Sequence, residues 1–186
     1  MRTKLLLFCL AGVIAFADTH AFPTVSSTVV GSSGFISSNE IGYFWSVSRG
    51  DLVSQTFTDP LASISSLTLN LSVPHNSLRY DALNWAVWVN NTQVGVFDVN
   101  VGFIGTLVKS YLFSPIAANN GTYDLSLRVT NQIRDLEGSH TFGLAGSRVT
   151  FGPVPTSVPE PGQAVIISSA VAGVLFRMRR HHRTAA

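Results

Sequence analysis

The chain has 186 residues, 46% of them hydrophobic and only 12% charged, with one cysteine and a formal charge of +2. The positive excess sits at the two ends: residues 1–21 hold two basic side chains against one acidic, and residues 158–186 hold four arginines against Glu160. Residues 22–157 hold six basic against eight acidic side chains and no Lys/Arg stripe, which excludes nucleic-acid binding as their work.

Residues 1–21 read as a secretory signal peptide. Arg2 and Lys4 form the positive start and Leu5 to Ala17 the apolar stretch. Thr19-His20-Ala21 then gives a small-x-small site for cleavage between Ala21 and Phe22. Ala15-Phe16-Ala17 fits the same rule, so a cut after Ala17 is the alternative. Cys9 lies inside the apolar stretch without the small residues that precede a lipoprotein cysteine. Once it is removed, the exported chain has no disulfide, no thiol chemistry and no cysteine-based metal site.

Residues 22–151 read as one all-β domain. Leu67, Leu69, Leu71 and Val73 alternate with Thr68, Asn70 and Ser72, placing four apolar side chains on one face of a strand. Tyr123, Leu125, Leu127 and Val129 repeat the pattern against Asp124, Ser126, Arg128 and Thr130. Leu83–Val89 and Gln93–Val99 flank the polar Asn90-Asn91-Thr92, which predicts a hairpin. Shorter strands are predicted over Thr24–Val30, Tyr43–Val47, Leu52–Phe57, Leu107–Phe113 and Ser147–Phe151. Turns are predicted at Asp59-Pro60, Pro74-His75-Asn76 and Asn119-Asn120-Gly121. The expected fold is an antiparallel two-sheet β-sandwich, jelly-roll-like in connectivity, with eight or nine strands. A closed barrel is the alternative. Residues 152–157, with Pro153 and Pro155, read as an extended linker.

No catalytic constellation stands out in this domain. His75 and His140 are its only histidines and are expected as solvated loop residues. No serine sits in a Gly-x-Ser-x-Gly elbow. Of the acidic residues, only Asp135 and Glu137 are close in sequence, and their loop is the one place for a structural Ca²⁺; no other metal or cofactor is expected. Aromatic residues are the feature consistent with binding. Trp85 and Trp88, three apart on one strand, must point to opposite faces, so one of them leaves the core. Trp45, Trp88, Asn90 and Asn91 are therefore the candidate glycan contacts, an indole to stack on a sugar ring and amides to bond its hydroxyls. The plainer reading covers the outward Trp with a loop.

Residues 158–186 carry the most specific signal. Val158-Pro159-Glu160-Pro161 should be extended, because two prolines fix φ and remove two donors. An uncharged apolar run follows over residues 162–176, about 22 Å long as a helix. The basic tail 177–186 then places Arg177, Arg179, Arg180 and Arg183 on the cytoplasmic side. Fifteen residues make a short span, lengthened by snorkelling arginines; a helix lying on the membrane surface is the alternative. In order, these three parts resemble the PEP-CTERM sorting signal of Gram-negative and related bacteria. The resemblance implies export, a transient inner-membrane anchor, recognition by an exosortase, and a setting of exopolysaccharide or biofilm matrix. The serines Ser168 and Ser169 and the histidines His181 and His182 depart from it without breaking the pattern.

The expectation for the whole chain is a non-enzymatic, exosortase-sorted protein of the cell surface or extracellular matrix, with a structural or adhesive β-sandwich. A carbohydrate-binding module is the alternative, and a polysaccharide-active enzyme a more distant one.

Overall fold

The computed structural model describes residues 17–31, 34–134 and 140–153. The residues expected to form the sorting tail and its membrane helix, most of those expected to form the signal peptide, and the Asp135–Glu137 loop expected as the place for Ca²⁺ lie outside the described residues. Within them the chain is all-β: thirteen strands and no helix. In chain order they are β1 Thr19–Phe22, β2 Thr28–Val30, β3 Gly34–Ile36, β4 Ile41–Trp45, β5 Leu52–Thr58, β6 Ser63–Val73 and β7 His75–Asn76. They continue with β8 Leu83–Val89, β9 Thr92–Val99, β10 Gly105–Ala117, β11 Thr122–Val129, β12 Thr141–Ala145 and β13 Ser147–Pro153.

Every strand pairing is antiparallel, and the strands make two layers. One layer is the five-stranded sheet β2-β5-β11-β8-β9. The other joins β1-β13-β6-β10 to β3-β4-β12-β7, since β6 runs into β7 past Pro74 and β12 into β13 past Gly146. Gly146 has φ 54°, which lets the strand bend there without a Cβ penalty. After β4 the chain changes layer at most connections, and it stays in one layer at the β8–β9 hairpin.

The alternation of the sequence is what joins the layers. Leu67, Leu69 and Leu71 of β6, with Phe151 beside Leu67 on β13, face Leu125 and Leu127 of β11 and Val87 of β8 in one contiguous core, all fully buried. Trp85 fills its centre, stacked on Phe97 and packed against Phe44 and Phe142 at ring distances of 5.6–6.2 Å.

Several strand predictions fall close to what is seen, with β8 exact and β5, β9 and β11 off by one residue at an end. Others are corrected. The count exceeds nine because β1, β3, β7 and β12 carry no alternating apolar signal. Pro74-His75-Asn76 is not a turn: His75 and Asn76 pair with Gly143 and Phe142, and Pro74 only marks where the strand changes partner ladder. Gly152 and Pro153 belong to β13 rather than to a linker, because they close the ladder against Ser66 and Ile64. Residues 19–21 likewise belong to the folded domain, paired with Thr150, Val149 and Arg148.

Candidate functional site

The outer face of the five-stranded sheet carries an open groove. Antiparallel register sets its floor. Thr28 pairs with Ser54, Ser54 with Ser126, Ser126 with Trp88, and Trp88 with Gln93, so one row of side chains crosses all five strands. With strands about 4.8 Å apart, Ser54, Ser126 and Trp88 span roughly 10 Å. Two shallow recesses share this floor. One, of about 260 Å³, lies between Trp88, Asn91, Ser126 and Arg128. The other, of about 480 Å³, extends over Ser54, Thr56 and Asp124 towards Thr28. The second falls within the usual range of ligand clefts, about 300–1,000 Å³.

The groove is built from the polar half of each alternating strand. Tyr123, Leu125, Leu127 and Val129 go inward, so Asp124, Ser126 and Arg128 must face out. Trp88 is exposed only in part, and its indole Nε1 is covered and has no hydrogen-bond partner. The surface that the ring offers is therefore carbon. Asp124 accepts a hydrogen bond from the Thr56 hydroxyl at 2.6 Å, which holds its carboxylate in place. Arg128 is exposed, and its guanidinium has no ion pair or hydrogen bond among the described residues. The site thus combines hydroxyls, a fixed carboxylate, a free guanidinium and an apolar ring surface. It can bond to a polyhydroxylated chain lying across the sheet.

The four candidate contacts separate. Trp88 and Asn91 line the groove, and Trp85 is the buried partner that the three-residue spacing requires. Asn90 is committed to the fold: its Nδ2 donates to the Ala117 carbonyl at 2.9 Å and its Oδ1 accepts from the Asp124 backbone at 2.8 Å. Trp45, 42% exposed, stands on β4 in the other layer and does not line the groove. Ser126, Arg128 and Asp124 also line the groove and were not singled out from the sequence, although their places in the alternating β11 pattern already marked them as outward-facing.

The remaining chemistry-bearing side chains serve the fold. His140 is not a solvated loop residue. It is 7% exposed, with Nδ1 3.1 Å from the Ser77 carbonyl, because the approach to β12 tucks it under β7. His75 is exposed, as expected, but it stands on β7 rather than in a loop. Asp59, buried, meets His20 Nε2 at 3.1 Å and accepts from the Leu61 backbone. Asp81 pairs with Arg134 at 2.7 Å, and Arg134 holds the Asp81 carboxyl below its ordinary range. Burial raises the Asp51 carboxyl, against the lowering effect of bonds from the Ser48 amide and hydroxyl. Among the described residues no cluster of His, Cys, Asp and Glu could hold a metal ion, and the Asp135–Glu137 loop lies outside them.

Compared with known proteins, the chain matches no family model and no curated protein. Solved structures are similar to it only loosely. The CBM36-1 domain of a multidomain xylanase from the hindgut metagenome of Trinervitermes trinervoides has 14% identity and a TM-score of 0.46, over 76% of this chain and all of that one. CsCBM6-3 from Clostridium stercorarium, in complex with cellobiose, has 14% identity and a TM-score of 0.43, over 74% of this chain and 94% of that one. A carbohydrate-binding module CBM36 in complex with calcium and xylotriose has 13% identity and a TM-score of 0.43, over 73% and 99%. At such scores the chemistry of the groove has to be read from its own residues.

Proposed function

We propose that this chain is an exported surface protein whose β-sandwich binds a polysaccharide across the outer face of its five-stranded sheet. The observation that carries the proposal is the register row Thr28–Ser54–Ser126–Trp88–Gln93, in which hydroxyls and an amide flank one partly exposed indole in an open groove. Sugar rings offer both C–H faces and hydroxyls. A ring stacked on Trp88 places its hydroxyls near Ser126, Asn91 and Arg128. An open groove suits a polymer, which can enter from the side and leave at both ends.

The domain works by binding rather than by catalysis. Asp51, Asp59 and Asp81 each spend both carboxylate oxygens on bonds within the fold, and Asp124 spends Oδ1 on Thr56, which supports this reading over a pair of carboxylates facing one glycosidic bond. The export signal and the PEP-CTERM-like tail add the destination: an exosortase partner, a transient inner-membrane anchor and release to the cell surface. The sequence pattern of residues 1–21 and 158–186 supports that part.

The test is retention on exopolysaccharide from the producing bacterium, measured by co-sedimentation of the purified chain. Trp88→Ala should weaken retention by about tenfold, roughly 1.4 kcal/mol. Trp45→Ala, on the other layer, should leave it unchanged. Equal losses in the two variants, or no retention of the unaltered protein, would refute the groove. Shortening of the polymer would show an enzyme instead.

A further inference from the structure

We infer that the export signal is cut between Ala17 and Asp18, not between Ala21 and Phe22, so that β1 remains in the mature protein. The inference rests on the reading of residues 1–21 as an export signal. Two small-x-small sites lie four residues apart, Ala15-Phe16-Ala17 and Thr19-His20-Ala21, and the sequence rule admits both. The fold separates them.

Residues 19–22 are a strand of the domain. Thr19, His20, Ala21 and Phe22 pair in register with Thr150, Val149, Arg148 and Ser147 and cover the edge of β13. Each side chain or carbonyl here has work to do. The Thr19 hydroxyl is 2.9 Å from that of Thr150. The Ala21 carbonyl accepts from Gln55 Nε2 at 3.3 Å. The His20 ring packs 5.1 Å from Phe57 and 5.7 Å from Phe151, and its Nε2 meets Asp59. Asp59 is 4% exposed, so removing His20 would leave a buried carboxylate without its side-chain partner. A cut at Ala21–Phe22 would delete all of this except Phe22 and bare one edge of the sheet.

The new terminus points the same way. Asp18 is exposed and outside any strand, so an ammonium there is solvated, whereas a cut before Phe22 would put the charge on a fully buried residue. Cleavage is hydrolysis by an endopeptidase at the exporting membrane. Water adds across the Ala17–Asp18 amide, leaving a carboxylate on Ala17 and an ammonium on Asp18. The new N-terminus then lies one residue before β1, free to take up its charge in solvent.

The experiment is production of the full-length chain in a Gram-negative host, followed by N-terminal sequencing of the processed form. The expected N-terminus is Asp18. Ala21→Leu should leave that position unchanged, while Ala17→Leu should block processing or divert it to the Ala21–Phe22 bond. The diverted product should show a lower melting temperature and faster proteolysis than the Asp18 form. A wild-type N-terminus at Phe22 overturns the inference and leaves export standing. A wild-type chain that keeps Met1 overturns the export reading, and the inference with it.

Discussion

Asn90 and Asn91 occupy one tight turn, yet only one of them is available to a ligand. Both have positive φ, 45° and 65°, which the two-residue connection between Val89 and Thr92 requires and which Asn tolerates better than most residues. The Asn90 amide is used up by Ala117 and Asp124, so Asn90→Ala should cost about 1–3 kcal/mol in urea unfolding. Asn91→Gly should be close to neutral for stability and should weaken polymer retention. From the sequence the two looked equivalent, because the partners of Asn90 lie 27 and 34 residues away. Asp51 and Asp81 show environment acting on charge in opposite senses. Burial raises the Asp51 carboxyl from 3.8, so the folded state holds that proton more tightly than the unfolded chain. Its stabilising contribution is complete below 3.8 and is lost as pH rises through the raised value. Asp81 is lowered by Arg134, so its contribution is complete above 3.8 and is lost as pH falls through the depressed value. Asp51→Asn should therefore gain on the wild type as pH rises from 3.8 towards neutrality. A stability difference that does not change with pH would refute the assignment.

Strands with an apolar beat of two were legible from sequence, and those without one were not. β6, β8 and β11 alternate because one face meets the core, and they form the centre of the fold. β3 and β7 are three and two residues long, too short to show a period. β12 buries its first four residues in succession, which reads as a plain apolar run. The alternation also sets a contrast for mutation. Leu127→Ala should cost about 2–5 kcal/mol through lost burial and a cavity. Arg128→Ala, one residue on and facing the groove, should stay within about 0.5 kcal/mol. Equal effects would contradict the strand's orientation. Where the two layers meet at β9 and β10, glycine makes the close approach possible. A Cβ on Gly95 would come within 2.2 Å of the Tyr111 ring, whose hydroxyl donates to the Val96 carbonyl at 3.1 Å. Gly95→Ala should displace that ring and cost about 1–3 kcal/mol. Burial, with Asp98 nearby, pushes the Tyr111 phenol up to about 12. The displaced ring should then ionise nearer to 10 in a spectroscopic titration.

At the scale of the whole chain, the sequence divides the argument unevenly. The proposed address rests on the sequence alone, because export and anchoring are read as linear patterns of charge and hydropathy. The groove was only half legible, since it arises from a register that brings Thr28, Ser54, Ser126 and Trp88 together from four separate strands. The two are connected by where the polymer is met. If the groove takes exopolysaccharide, as we propose, it is useful only outside the cell, and the anchor suggested by the tail's sequence would have to be temporary. On that proposal the uncharged run 162–176 stops in the bilayer, the four arginines stay inside, and Val158–Pro161 is left at the outer headgroups for an exosortase. The protein recovered outside the cell should therefore lack everything after about Pro161. Glu160→Ala should leave the full-length form in the inner membrane, because the charged, proline-containing motif is what the proposed exosortase would meet. Replacing Arg177, Arg179, Arg180 and Arg183 by Asn should weaken retention and let unprocessed protein slip into the periplasm. Mass spectrometry of the extracellular form decides the matter: a C-terminus still at Ala186 would make the tail a plain anchor and remove the reason for an exosortase.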